Sequence, residues 1–136
     1  MEETAKAPPA DFAQLLSIVD QLRSDHGCPW DRKQTPHTLK RYLLEECQEL
    51  LEAIDSQQQN EICEEIGDVL FLLAFLISLY AEQGQFTATT TFDGIISKMI
   101  RRHPHVFAGL PVSDEQELKA QWQRIKDQEK GQPVTK

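Results

Sequence analysis

Apolar positions recur at helical intervals along most of the chain. Phe12, Leu15, Leu16, Val19 and Leu22 are three or four residues apart, which predicts an amphipathic helix from Asp11 to near Asp25. His26 to Asp31 contains Gly27, Pro29 and Trp30 but no period, so an ordered loop is expected there and not a strand. Thr35 followed by Pro36 pairs a capping hydroxyl with a proline at the first helical position and opens a second helix that runs to about Ser56. Gln57-Gln58-Gln59-Asn60 interrupts the pattern only briefly, as the turn of an antiparallel helix hairpin would. A third helix is expected from Glu61 to about Gln83, stopping at Gly84. Its second half, Val69 to Tyr80, is apolar all round apart from Ser78 and must be covered on several sides, for which a homo-oligomer interface is a natural cover. The same run is twelve residues long, short of the roughly 20 that span a bilayer. Further helices are expected from Thr91 to Arg102, before His103-Pro104-His105, and from Ser113 to Lys130, with Ser113 and Gln116 as a capping box. The fold class is therefore all-α, an antiparallel bundle of about four to five helices that oligomerises through its apolar third helix.

Length and charge narrow the possible functions. A chain of 136 residues holds one domain with a core of its own, expected over 11–130 between a flexible leader at 1–10 and a disordered tail at 131–136. The formal charge of −8 argues against nucleic acid or an anionic membrane as partner. Cys28, Cys47 and Cys63 are odd in number and form no CxxC, and the first residues lack the apolar stretch of a signal peptide; a reducing cytoplasmic setting fits. Cys47 and Cys63 read as core fillers.

The charge is unevenly spread. Residues 45–68 hold nine acids and no Lys or Arg, whereas from Lys98 onward eight basic residues face five acidic ones. Glu46 and Glu49 are three apart on one predicted helix, Glu65 and Asp68 three apart on the next, so each pair projects from one helix face. With the turn centred between Gln58 and Gln59, Glu49 and Asp68 would stand level, roughly 14 Å up the hairpin, with Glu46 and Glu65 roughly 19 and 10 Å up. Four converging carboxylates repel one another and raise one another's pKa unless a cation compensates. Oxygen ligands without His or Cys at matching spacing favour Mg²⁺, with Mn²⁺ possible, over Zn²⁺, and a di-iron bundle would need Glu-x-x-His pairs. The competing reading is a plain solvated face, but such a face normally interleaves basic residues at i,i+4.

These residues resemble a known family. Glu45-Glu46-Cys47-Gln48-Glu49, followed by Glu65-Ile66-Gly67-Asp68, is similar to the EExxE…ExxD signature of the all-α nucleoside triphosphate pyrophosphohydrolases. Gly27-Cys28-Pro29-Trp30-Asp31, Leu39 to Ile54, Arg101-Arg102-His103-Pro104-His105-Val106-Phe107 and Trp122 to Lys130 resemble the MazG branch, and the likeness extends from about Phe12 to Lys130. It implies a helical, Mg²⁺-binding homodimer or homotetramer that cleaves nucleoside triphosphates to monophosphate and pyrophosphate. It also implies Glu46, Glu49, Glu65 and Asp68 as metal ligands, Glu45 as a supporting or water-orienting carboxylate, and Lys98, Arg102, Trp122 and Lys126 as nucleotide contacts. Many relatives carry two such domains in tandem.

Chemistry asks for the same parts. Hydrolysis at the α-phosphorus needs charge neutralisation and an aligned water, which metal and carboxylates supply. An acidic hairpin alone would repel a triphosphate; Lys98, Arg101, Arg102 and Lys126 are the complementary cations. Lys98 and Arg102 equally suit the C-terminal end of a helix. Trp122 either stacks on the base or caps the core; Trp30 either closes over the site or plugs a bundle end, the plug being favoured. His103 and His105, split by Pro104, read as a structural turn and not a metal site. Two other functions stay open: a helical interaction or metal-binding module without activity, and the same fold acting on dUTP or a phosphoribosyl intermediate.

Overall fold

The computed structural model describes residues 10–131; the expected leader, up to residue 9, and the tail from 132 onward lie outside the described residues. These residues form seven helices and no strand: α1 (Phe12–Leu22), α2 (Pro29–Lys33), α3 (Pro36–Ser56), α4 (Gln59–Glu82), α5 (Ala88–Arg102), α6 (Pro104–Phe107) and α7 (Glu115–Gly131). The all-α class stands, with two short helices added. The chain divides into two compact units, one ending at Ala88 and one beginning at Thr89.

In the first unit α4 packs against both α3 and α1. The core consists of Val19, Leu39, Leu72, Ala74, Phe75 and Leu79, with Phe12, Leu15, Leu16, Tyr42, Leu43, Phe71 and Leu76 packed around it. The second half of α4 is thus covered from two sides, as its all-round apolarity requires. Ile66, Leu70 and Leu73 remain exposed at i, i+4 and i+7, a stripe along one face of α4. Charged ties flank the core. Arg23 pairs with Glu82 at 2.6 Å, lies over the Phe75 ring and donates to the Asp31 carbonyl, and the Ser78 hydroxyl donates to Asp20 at 2.6 Å.

The helix ends correct several expected boundaries. α1 stops at Leu22, not near Asp25, because the Cys28 N–H donates to the Leu22 carbonyl at 2.8 Å and folds the chain back. Gly27 is needed in that fold: a Cβ there would sit 2.2 Å from the Leu22 oxygen. The expected loop at 26–31 ends in α2, since Pro29 occupies a first helical position and the Arg32 N–H reaches the Cys28 carbonyl at 3.0 Å. Five residues are too few to display a period. Thr35 caps α3 as expected, accepting from the Thr38 N–H at 3.2 Å while its own N–H donates to Thr38 Oγ1 at 2.9 Å. Gln57 closes α3 in the left-handed region at φ 62°, so the hairpin turn is centred a residue earlier than the polar run implied.

In the second unit Asp114, not Ser113, accepts from the first turn of α7, at 2.8 Å from the Glu117 N–H, and the Glu117 carboxylate reaches back to Ser113. The cap is shifted one residue along the chain because α7 begins at Glu115, which makes Glu117, not Gln116, its third residue. Arg101 and Arg102 at the end of α5 both pair with Glu129 on α7.

Candidate functional site

The acidic side chains stand on the α3–α4 hairpin, whose buried side, Leu39 and Ala53 on α3 and Leu72, Ala74 and Phe75 on α4, sets the helix faces. The earlier turn changes their levels. Glu49 and Glu65 are about 12 Å from the turn and Glu46 and Asp68 about 16 Å, so the level pairs are Glu49 with Glu65 and Glu46 with Asp68. Glu46, Glu49 and Glu65 bring carboxylate oxygens within 4.8 Å of one another, and Glu64, Glu65 and Asp68 form a second triad on the same criterion. Glu65 belongs to both. A cleft of about 360 Å³ opens beside them, lined by Glu49, Glu52, Ala53, Glu61, Glu64 and Glu65.

The electrostatics of these triads are those of a site short of positive charge. Burial pushes the Glu46 carboxyl up to about 7, aided by its contact with Glu49 and by the charges of Asp68 and Glu65. Glu65 is also raised, by desolvation first and then by Glu49, Asp68 and Glu64. One oxygen of Glu46 and one of Glu65, both Oε2, are buried without a hydrogen-bond partner. Buried carboxylate oxygens without donors, gathered from two helices, fit a hard divalent cation in chemistry and number.

Three of the four expected ligands therefore share one triad, and Asp68 joins through Glu65. Glu64 was overlooked, although its i,i+4 spacing to Asp68 puts both on one face of α4. Glu45 lies in neither triad; it is exposed and 3.9 Å from Arg41, one turn back. Trp30 is 45% exposed and meets Tyr42 edge-on with centroids 5.4 Å apart, so it does not plug the bundle. Short α2 lifts it onto the surface. Cys63 is exposed, not a core filler, because it lies on the outward side of α4, while Cys47 is half-buried.

In the second unit Lys98 is half-buried on α5. Arg101 Nε is 2.5 Å and Arg102 Nη2 2.8 Å from the Glu129 carboxylate. Those two guanidiniums hold Glu129 at a pKa of about 2, Arg102 contributing most. Trp122 and Lys126, with Lys119 and Gln123, line an open pocket of about 320 Å³. The His103 ring nitrogen Nδ1 is 2.6 Å from the Met99 carbonyl oxygen, and its ring meets Trp122 edge-on at 5.4 Å. His103 thus serves the turn, as its neighbour Pro104 suggested.

A hairpin of two long helices presenting clustered carboxylates, followed by a second helical unit that carries Lys98, Arg101, Arg102 and Lys126, defines the class: an all-α protein with an acidic cluster able to hold a metal ion. Comparison with known proteins specifies it. The family profile of the MazG nucleotide pyrophosphohydrolase domain matches residues 34–107, and the chain belongs to that family. Over 120 residues, 88% of this chain and 46% of the other protein, it is 48% identical to the nucleoside triphosphate pyrophosphohydrolase/pyrophosphatase MazG of Thermotoga maritima. Over the same shares it is 39% identical to a nucleoside triphosphate pyrophosphohydrolase of Escherichia coli. The uncharacterized protein YabN of Bacillus subtilis is 46% identical across 120 residues, 88% of this chain and 24% of that protein. The chain spans less than half the length of these three relatives. The crystal structure of a mazG-related protein from Thermotoga maritima superposes with a TM-score of 0.71 at 27% identity, over 85% of this chain and 98% of that one.

Proposed function

We propose that this protein is a Mg²⁺-dependent nucleoside triphosphate pyrophosphohydrolase, with Mn²⁺ as a competent substitute, cleaving the α–β phosphoanhydride to a nucleoside monophosphate and pyrophosphate. The observation that carries this reading is the pair of carboxylate triads sharing Glu65, with their two donor-less buried oxygens. Glu46, Glu49, Glu65 and Asp68 are the proposed metal ligands, with Glu64 added from the second triad. When bound, the cation supplies positive charge at the phosphate oxygens and acidifies water. Glu45, exposed at the edge of the cluster, orients the attacking water or accepts its proton, a role that needs a carboxylate free of the ligand set. Lys98, Arg101, Arg102 and Lys126 bind the phosphates, and Trp122 stacks on the base. Trp30, exposed on its short helix, is a second candidate for the base.

The same proposal takes residues 11–130 as one functional domain, the nucleotide as the partner in place of nucleic acid or membrane, and the cytoplasm as the setting. Free thiols at all three cysteines support that setting, and no helix among the described residues is long and apolar enough to cross a membrane. The exposed Ile66–Leu70–Leu73 stripe supports assembly of a homodimer or homotetramer through α4. Purified protein is assayed with Mg²⁺ against a panel of ribo- and deoxyribonucleoside triphosphates in ¹⁸O-labelled water. Monophosphate and pyrophosphate are expected in equal amounts, with the label in the monophosphate. Absence of turnover across the panel would instead support the inactive binding module.

A further inference from the structure

Arg101 and Arg102 are neighbours on α5, so their side chains leave the helix about 100° apart. One carboxylate gathers them. Glu129 receives Arg101 Nε at 2.5 Å on Oε2 and Arg102 Nη2 at 2.8 Å on Oε1. We infer that Glu129 is a positioning residue for polyphosphate recognition, holding the two guanidiniums as a fixed pair whose remaining N–H groups grip substrate phosphate. The inference rests on the pyrophosphohydrolase reading and adds to it a residue that itself does not touch the substrate.

Four observations carry it. Two cations on one anion leave the cluster net positive, so the anchor does not cancel the attraction for phosphate. A guanidinium has five N–H donors. Glu129 engages the Nε of Arg101 and the Nε and Nη2 of Arg102, leaving donors on both side chains for the bidentate contacts that phosphate favours. The Arg102 and Glu129 side chains are only 17% and 21% exposed, whereas Arg101 is 49% exposed. Breaking a largely covered pair strands a charge, so an incoming phosphate adds to the arrangement and does not displace Glu129. Glu129 also lies three residues beyond Lys126 and seven beyond Trp122, on one face of α7, so the anchored arginines continue the stripe that borders the Trp122 pocket.

The test uses the full chain and inorganic tripolyphosphate, whose binding is followed by calorimetry beside steady-state kinetics with a nucleoside triphosphate and Mg²⁺. Glu129→Gln should weaken tripolyphosphate roughly tenfold and raise KM by a similar factor, with kcat changed less than about threefold, because the lost element is ground-state grip. Glu129→Asp should recover part of the affinity. Arg102→Gln is the control. If it weakens tripolyphosphate while Glu129→Gln leaves binding unchanged or tighter, the positioning role is overturned and the phosphate-binding role of the arginines stands. If neither variant alters tripolyphosphate binding, both fail. Should Glu129→Gln not fold by circular dichroism, Glu129→Asp decides: weaker binding with unchanged helicity supports the role, and wild-type binding refutes it.

Discussion

In the unit ending at Ala88, three long helices share a core in which Val19, Leu39, Ala74 and Phe75 are wholly removed from solvent, and the acidic side chains ride on its outer surface. From Thr89 onward no apolar side chain is buried among the described residues; the one buried residue is Gln121, and α5 is tied to α7 by Arg101 and Arg102 on Glu129 and by His103 against Trp122. The first unit can afford like charges in close range because packing fixes its backbone independently of them. The second has no such base, and its one paired cluster among the described residues sets opposite charges against each other, Arg101 and Arg102 on Glu129. Repulsion kept in a rigid frame leaves a place that a cation can fill; attraction within a lightly packed one is a structural bond that leaves donors over.

The largest expected effect breaks the first half of this contrast at its chemistry. Glu65→Gln or Glu49→Gln should lower turnover by more than about 100-fold, since even outer partners of metal ligands commonly cost 10–100-fold, while far-ultraviolet circular dichroism stays helical. Loss of the helical spectrum would make the carboxylates structural. Next comes the frame itself. Phe75→Ala empties the middle of the core and should cost about 3–5 kcal/mol in urea unfolding. Gly27→Ala should cost about 1–3 kcal/mol, because the added Cβ meets backbone at Leu22 that no rotamer change can move aside.

Titration should separate the two regions by sign. Glu46 is raised from 4.5 to about 7 in the folded protein, so it stabilises the fold below pH 4.5 and that contribution is lost as pH rises towards 7. After allowance for solvent screening the loss is on the order of 1 kcal/mol, and Mg²⁺ should reverse it by replacing the proton. Glu129 is lowered to about 2, so its contribution is full above pH 4.5 and is lost as pH falls towards 2. Thermal melts from pH 3 to 8, with and without Mg²⁺, check both directions. The smallest effect is at a helix start: Thr35→Ala should cost about 1 kcal/mol, read as a shift in the urea midpoint, by removing the hydroxyl that caps α3.

The two regions also differ in how much of them could be read from the chain. α3 and α4 were legible because Leu39, Ala53, Leu72, Phe75 and Leu79 repeat with the helix and Thr35-Pro36 marks a start, and the same period put Glu46, Glu49, Glu65 and Asp68 on one hairpin. The level pairing of those acids was not legible. It turns on Gln57 adopting a left-handed conformation, a one-residue choice among four similar polar residues. α2 and α6 are too short to carry a period, and Glu129 gave no sign of its partners because Arg101 and Arg102 lie 28 and 27 residues away, joined through tertiary packing alone.

Manganese binding, counted by electron paramagnetic resonance of the free ion at room temperature, tests the acidic hairpin most directly. Because Glu65 belongs to both triads, Glu65→Gln should abolish binding that the unaltered protein shows, with no change in helicity. Undiminished binding by Glu65→Gln, or none by the unaltered protein, would contradict the account.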